Sequence, residues 1–251
     1  MRDDLVSIIT PAYRAAKVIE ETIRSVVAQT YPHWEMLIAD DCSPDDTRAV
    51  VRRWEGIDRR IRLIALARNG GPAAARNAAI EHAQGRWLAF LDSDDLWLPG
   101  KLEHQLSFHR ATGAKLTFTG FRRISADAAA IGHFIGVPDQ LVYRQLLANT
   151  AIATSTVIVD AASTGPIHMK KTYYDDFACW LDILRSGGAA RGLNEDLMRY
   201  RVMSASVSRN KRNSAVQVWH AYRRIEGLSL LSSVYYFLSY GIRGLLKYRR
   251  F

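Results

Sequence analysis

Cysteine is scarce: Cys42 and Cys179 are the only two in 251 residues. Two cysteines make no disulfide framework, so the chain reads as one kept in a reducing compartment, with both thiols as packing residues. Long apolar runs are missing too. No stretch approaches the roughly 18 uncharged residues of a spanning helix. Nor does an apolar segment of signal-peptide length follow Met1-Arg2-Asp3-Asp4. The expected setting is cytoplasmic. Internal repeats and low-complexity tracts are absent, and acids are in deficit: 25 Asp and Glu against 34 Lys and Arg, a formal net charge of +9. That excess implies an anionic partner. The basic residues form no known nucleic-acid module, so nucleotide phosphate and lipid headgroups are the expected partners rather than nucleic acid. Hydrophobic residues make up 48% of the chain, enough to bury the core of one large domain or of a domain with an appendage.

What the chain does have is an acidic strand end. The apolar run Trp87 to Leu91 stops in Asp92-Ser93-Asp94-Asp95, three carboxylates within four residues. In open α/β sheets, ligands bind in the crevice at the carboxyl ends of the strands. Carboxylates held this close repel one another and call for a counter-charge, which a hard divalent cation, Mg²⁺ or Mn²⁺, supplies while bridging to phosphates. The alternative is that they cap the next helix or solvate a turn.

A second acidic strand end supports the first reading. Leu5 to Thr10 is expected as the first strand, turned by Pro11-Ala12-Tyr13. Ile19, Ile23, Val26 and Val27 fall at helical spacing within 15–29. A strand over Glu35 to Ala39 then ends in Asp40-Asp41. Ser43-Pro44-Asp45-Asp46 reads as a helix start, with Ser43 as cap, Pro44 at the first helical position and Asp46 at the capping-box position. That explains Asp45 and Asp46 but not Asp40 and Asp41. A third strand, Ile61 to Ala67, leads into the tight loop Asn69-Gly70-Gly71-Pro72. The helix that follows, to Ala83, carries Arg76 and Asn77 near its start, an arrangement suited to anions. Another helix runs from Pro99-Gly100 to about Arg110. Alternating strands and helices with right-handed crossovers make a parallel, doubly covered sheet and bring Asp41, Arg76, Asp92 and Asp94 to one edge.

The second half is less regular. Strands are expected over 116–119 and 155–159, a short helix over 143–148 and a loop over 125–140. Tyr173-Tyr174-Asp175-Asp176-Phe177 opens a helix that turns Trp180, Leu181 and Leu184 inward and ends at Gly187-Gly188. Its acidic pair suits the helix dipole or, alternatively, supplies a general base. From about Val207 the chain turns aromatic and leucine-rich, and it closes on Arg243, Lys247, Arg249 and Arg250. That pattern suits the surface of an anionic membrane; the alternative is a packed helix pair with a solvated basic tail.

With these residues in place, the chain resembles glycosyltransferase family 2, the inverting enzymes of the GT-A fold. The resemblance is carried by VSIITPAY, IADDCSPDDT, NGGPAAARNAAI and FLDSDDLW in order, with YYDDFACWL and GLNEDLMRYRVMSASVS further on. It implies a GT-A nucleotide-diphospho-sugar transferase fold: a mainly parallel twisted sheet flanked by helices over 1–206, followed by C-terminal helices over 207–251. Residues 1–112 would form the nucleotide half and 113–206 the acceptor half.

The resemblance also implies roles. Asp41 would bind the base, with Tyr13 stacked near it, Asp40 supporting that corner and Pro11, Ala12 and Asn69 lining it. Arg76 would lie near base or phosphates. Asp92 and Ser93 would sit by the ribose or a metal-bound water, Asp94 would hold the divalent cation with Asp92 beside it, and Asp95 would lie beside the donor sugar. Asp176 would deprotonate the acceptor hydroxyl with Asp175 as its neighbour, where the family often has Glu-Asp. The donor implied is a UDP-sugar and the acceptor a glycan or lipid-linked intermediate of cell-surface polysaccharide. Met198-Arg199-Tyr200-Arg201 departs from the Gln-x-x-Arg-Trp of processive synthases, which argues for adding one sugar per acceptor. The alternatives are a nucleotidyltransferase, which would place a Gly-rich loop after the first strand, a glycoside hydrolase with paired carboxylates, which would leave the Asn69-Gly70-Gly71 loop unused, and a degenerate membrane-associated nucleotide-sugar binding protein.

Overall fold

The computed structural model describes residues 2–149, 151–203 and 211–247. The expected boundary at 206/207 and the basic residues Arg249 and Arg250 lie outside them. Among the described residues ten strands form one sheet, with main order β3-β2-β1-β4-β9-β6-β10-β5. β1 (Arg2–Ala12) lies parallel between β2 (Trp34–Asp40) and β4 (Gly85–Phe90), and β2 pairs in parallel with β3 (Ile61–Ala65). Right-handed crossovers make these four carboxyl ends share an edge. β9 (Ile158–Asp160) runs antiparallel between β4 and β6 (Leu116–Ile124), and β6 pairs in parallel with β10 (Ala190–Arg201). Gly85 lets β1 and β4 approach closely, since a Cβ there would lie 2.4 Å from the Leu5 carbonyl oxygen.

Alternation along the central strands feeds two cores. Ile8, Met36, Ile38 and Ala89 point to the face covered by α1 (Ile19–Val27), α2 (Thr47–Ile57) and α4 (Lys101–Thr112). Ile9, Leu37, Leu88 and Phe90 point to the other face. That face carries α3 (Pro72–Glu81), α5 (Tyr143–Leu147) and α7 (Asp175–Arg185), while α6 (Ala161–Thr164) is a single turn after β9. Burying such side chains is worth about 1.5–3 kcal/mol each relative to exposure. Trp180 of α7 meets Phe90 edge-on, with ring centroids 5.0 Å apart.

Several expectations are corrected. The first strand reaches Ala12, so the turn falls at Tyr13-Arg14, with Arg14 in left-handed backbone at φ 53°. α2 begins at Thr47 rather than after Ser43. Asp45, not Ser43, takes the Thr47 amide at 3.3 Å and its hydroxyl at 2.6 Å, and Asp46 makes no side-chain cap. The expected loop 125–140 contains β7 (Ile131–Ile135) and β8 (Gln140–Leu141). Ser125 and Asp127 close the β6–β7 turn: the Ser125 hydroxyl donates to Asp127, and the Ala129 amide donates to the same carboxylate. Residues Thr154–Thr156 form a 3₁₀ turn, and the strand starts only at Ile158. β5 (Leu96–Trp97) and β10 were not expected.

The C-terminal helices pack on the α3/α7 face. α8 (Lys211–His220), a π-helical turn over Ala221–Ile225 and α9 (Leu230–Lys247) bring Val218 and Tyr222 into the core, and the Tyr222 hydroxyl donates to the Leu147 carbonyl at 2.5 Å. Among the described residues no helix is long and apolar enough to cross a membrane.

Candidate active site

The carboxyl edge of the sheet collects the expected residues. At its nucleotide corner, Pro11 and Ala12 end β1, and the Ala12 carbonyl accepts the Asp41 amide at 2.8 Å. Tyr13 is 45% exposed, with the Arg14 guanidinium 5.3 Å from its ring centroid. Asp40 is fully buried and is held by Arg48 Nε at 2.5 Å and the Ser43 amide at 3.1 Å. Asp41 faces the loop after β3. Its carboxylate accepts the Gly70 and Gly71 amides at 2.7 and 2.8 Å, and its carbonyl accepts from Asn69 at 3.1 Å. Gly71 sits at φ +86°, a conformation that favours glycine, and Pro72 then begins α3.

The acidic loop after β4 is fixed from three sides. Thr22 of α1 donates to the Ser93 carbonyl at 2.9 Å. Ser155 in the 3₁₀ turn accepts the Asp92 amide at 3.0 Å and donates to Asp95 at 2.5 Å. Arg201, at the end of β10, gives its amide to Asp95 at 2.9 Å and its Nε to the Asp94 carbonyl at 2.8 Å, and it pairs with Glu21 at 2.6 Å. Asp95 is thus turned inward, 1% exposed. Burial, with Asp94 and Asp92 adding repulsion, pushes its carboxyl well above the ordinary range. Burial first and the Asp92 charge second push Asp94 up to about 6.

Arg76 joins this loop to the second acidic pair. From α3 it reaches Asp92 at 2.6 Å and Asp175 at 2.7 Å, the latter 99 residues away in the chain. Burial alone would lower the guanidinium's pKa, but Asp92, Asp175 and Asp176 together hold it raised. Asp175 is buried, and that burial outweighs Arg76 and leaves its carboxyl raised, with Asp176 adding repulsion. Asp176 is half-buried at the start of α7, where one oxygen accepts from the Thr154 hydroxyl at 2.5 Å and the other from the Phe177 amide at 2.7 Å. Asp92, Asp175 and Asp176 therefore gather around one guanidinium, with Asp94 beside Asp92, while Asp41 lies at the entry to the helix that carries it.

Among the described residues no three His, Cys, Asp or Glu side chains form a ready cation cage. A magnesium-like ion needs fewer, because it is commonly held by one or two carboxylates with substrate phosphates and waters completing the shell. Asp94, half-buried beside the like charge of Asp92, fits that role. A separate cavity of about 270 Å³, lined by Asp3, Arg86, Trp87, His109 and Asp160 among others, lies at the amino ends of β1 and β4, away from these acids. Its Asp160 is already paired with Arg86 at 2.8 Å. Cys179 is buried, and burial pushes its thiol up to about 12, as suits a packing residue.

Sequence reasoning missed Thr154, Ser155 and Arg201. The polar triplet Thr154-Ser155-Thr156 directly before an apolar run was a usable signal; Arg201 stands at the Arg position of the Gln-x-x-Arg-Trp pattern from which its segment departs, but nothing nearby pointed to its contact with the acidic loop.

Comparison with known proteins places the chain among relatives of one family. The glycosyl transferase family 2 model matches residues 7–163. The putative teichuronic acid biosynthesis glycosyltransferase TuaG of Bacillus subtilis is 44% identical over 237 residues, 94% of each chain. The Escherichia coli UDP-Glc:alpha-D-GlcNAc-diphosphoundecaprenol beta-1,3-glucosyltransferase WfgD is 34% identical over 99% of this chain and 96% of its own. Among solved structures, S. aureus TarS 1–349 in complex with UDP-GlcNAc superposes with a TM-score of 0.71 at 17% identity, over 96% of this chain and 72% of that one; this chain spans 43% of a longer TarS chain. The mannosyltransferase PcManGT from Pyrobaculum calidifontis, in complex with GDP-Man and Mn²⁺, gives 0.68 at 19% identity, over 95% and 69%. The fold is the GT-A fold of these structures, and the chain belongs to glycosyl transferase family 2.

Proposed function

We propose that this glycosyltransferase moves one sugar, with inversion, from a UDP-sugar to a hydroxyl of a glycan or lipid-linked acceptor in cell-surface polysaccharide synthesis. The observation that carries the proposal is the Arg76 bridge, which sets the donor-side acid Asp92 and the acceptor-side pair Asp175-Asp176 around one centre. The donor class and acceptor class are supported by the WfgD relative, named for taking glucose from UDP-Glc to a diphosphoundecaprenol-linked sugar. We take residues 1–206 as the catalytic domain and 207–251 as a C-terminal segment.

Each residue has work of its own. Asp41 accepts from the N–H of the base; each carboxylate oxygen keeps a lone pair after taking the Gly70 or Gly71 amide. Half-exposed Tyr13 stacks on the ring. Asp94, with Asp92, would hold Mg²⁺ or Mn²⁺, which when bound offsets charge developing on the diphosphate. Asp95, bonded to Ser155 and the Arg201 amide, keeps the loop in place rather than touching the sugar. Asp176 takes the proton from the acceptor hydroxyl as that oxygen attacks the anomeric carbon from the face opposite the diphosphate. The new C–O bond forms as the bond to the diphosphate breaks, so the configuration inverts. Thr154 orients the Asp176 carboxylate, and Arg76 fixes Asp175 beside it.

The test separates binding from transfer. Asp176→Asn should leave UDP binding unchanged and lower transfer by about 10²–10⁴-fold, the usual worth of a general base. NMR of the wild-type product should show an anomeric configuration opposite to the donor's. Turnover within about tenfold of wild type would place the base elsewhere, and retained configuration would reject single displacement.

A further inference from the structure

α9 presents apolar side chains on two opposite faces. Its inner face is used: Phe237 meets Trp219 with centroids 5.7 Å apart, Tyr236 meets Tyr222 at 6.4 Å and Tyr240 meets Phe177 at 6.2 Å. The preceding turn is tied down as well, since Glu226 accepts from Arg185 at 2.5 Å and from the Tyr143 hydroxyl. The helix is therefore held on the domain without its outer face.

That outer face is the most apolar exposed surface among the described residues. Twelve large hydrophobic residues are exposed among the described residues, and six of them, Leu230, Leu231, Val234, Tyr235, Leu238 and Ile242, lie on this one helix. Leu231, Val234, Tyr235, Leu238 and Ile242 recur every three or four residues, which makes one stripe. Patches of this kind mark interaction surfaces. The chemistry of the surroundings selects the partner. From Gly227 to Phe251 there is no acidic residue, and the same stretch carries Arg243, Lys247, Arg249 and Arg250. Pairing with a second copy would bring together two segments that each carry four basic residues and no acid to balance them. An anionic lipid surface accepts both the apolar stripe and the charge.

We propose that α9 lies flat on an anionic bilayer by this stripe and thereby sets the opening of α7 toward the lipid. The link is the Tyr240–Phe177 contact, because Phe177 directly follows Asp176. The acceptor hydroxyl then arrives from the membrane side. This last step rests on the transfer reading above; the docking itself does not.

The test uses the full chain, with Leu231→Glu and Leu238→Glu combined. Both residues are exposed, at 84% and 58%, so the melting temperature and UDP binding of the double variant should match wild type. The wild-type protein should sediment with vesicles of phosphatidylcholine and phosphatidylglycerol at low salt and not with phosphatidylcholine alone. The variant should bind more than about tenfold more weakly, since a charge replaces each leucine that would enter the lipid. Transfer to an acceptor embedded in those vesicles should fall in parallel, while transfer to a short-chain water-soluble acceptor persists. Wild-type protein that stays in the supernatant with both vesicles, or a variant that binds as well as wild type, overturns the docking. So does self-association in sedimentation velocity that the variant abolishes, which would make a second copy the occupant. Transfer in vesicles that survives loss of binding overturns the placement of the acceptor. Vesicle binding without any nucleotide-sugar turnover would overturn the transfer reading and leave the docking standing.

Discussion

Arg76 is the residue on which the two acidic groups depend. It is 6% exposed and serves carboxylates from the loop after β4 and from the start of α7. Removing one partner of a buried charge network leaves the others uncompensated and commonly costs about 3–5 kcal/mol. Arg76→Met should therefore lower the urea stability by about that much, whereas Arg76→Lys, which keeps the charge but not the fork, should fall between. Stability of Arg76→Met within about 0.5 kcal/mol of wild type would show that the bridge is not a structural requirement. Asp92, Asp94, Asp175 and Asp176 were legible as candidates because acids at strand ends and helix starts stand out against apolar runs. Their supports were not. Ser155 reaches Asp95 across 60 residues and Arg201 reaches Glu21 across 180. Contacts over such separations are set by topology and leave no local spacing to read.

At the scale of elements, α4 holds a buried histidine whose titration can be followed. His109 donates from Nε2 to the Ala114 carbonyl at 2.6 Å and accepts at Nδ1 from the Thr117 hydroxyl at 3.0 Å, so it is held neutral. Burial lowers its pKa from 6.5 to about 4. The unfolded chain takes up this proton near 6.5 and the folded chain only near 4. The stability contribution is thus complete above about pH 6.5 and is lost as pH falls toward 4, by about 3 kcal/mol at most. Urea midpoints should drop across that window in wild type and less steeply in His109→Gln; parallel slopes would contradict the assignment. Trp180→Ala, which empties the contact of α7 with Phe90, should cost about 3–5 kcal/mol in the same assay. The first four strands and their helices were legible from periodicity. β10 was not, because Asn194, Glu195 and Asp196 fall at register shifts in its pairing with β6 and break the alternation. β7 was missed for a related reason: Ile131 points outward and Gly132 inward, the reverse of an apolar-in pattern.

The whole molecule is a sheet whose carboxyl edge gathers chemistry from chain segments far apart, with a helical C-terminal segment fastened to the α7 side. That convergence was readable in advance because parallel strands with right-handed crossovers leave little choice of edge. The identity of the sugar was not, since it depends on a few pocket side chains that periodicity does not encode. The account stands or falls on one claim, that this edge binds a nucleoside diphosphate through a divalent cation at Asp94. Calorimetric titration of the full chain with UDP, first with Mn²⁺ and then with EDTA, tests it most directly, with Asp94→Ala as the matched control. The account predicts binding that the chelator abolishes and that Asp94→Ala loses. UDP affinity unchanged by EDTA, or an Asp94→Ala variant that binds as tightly as wild type with Mn²⁺, would contradict it.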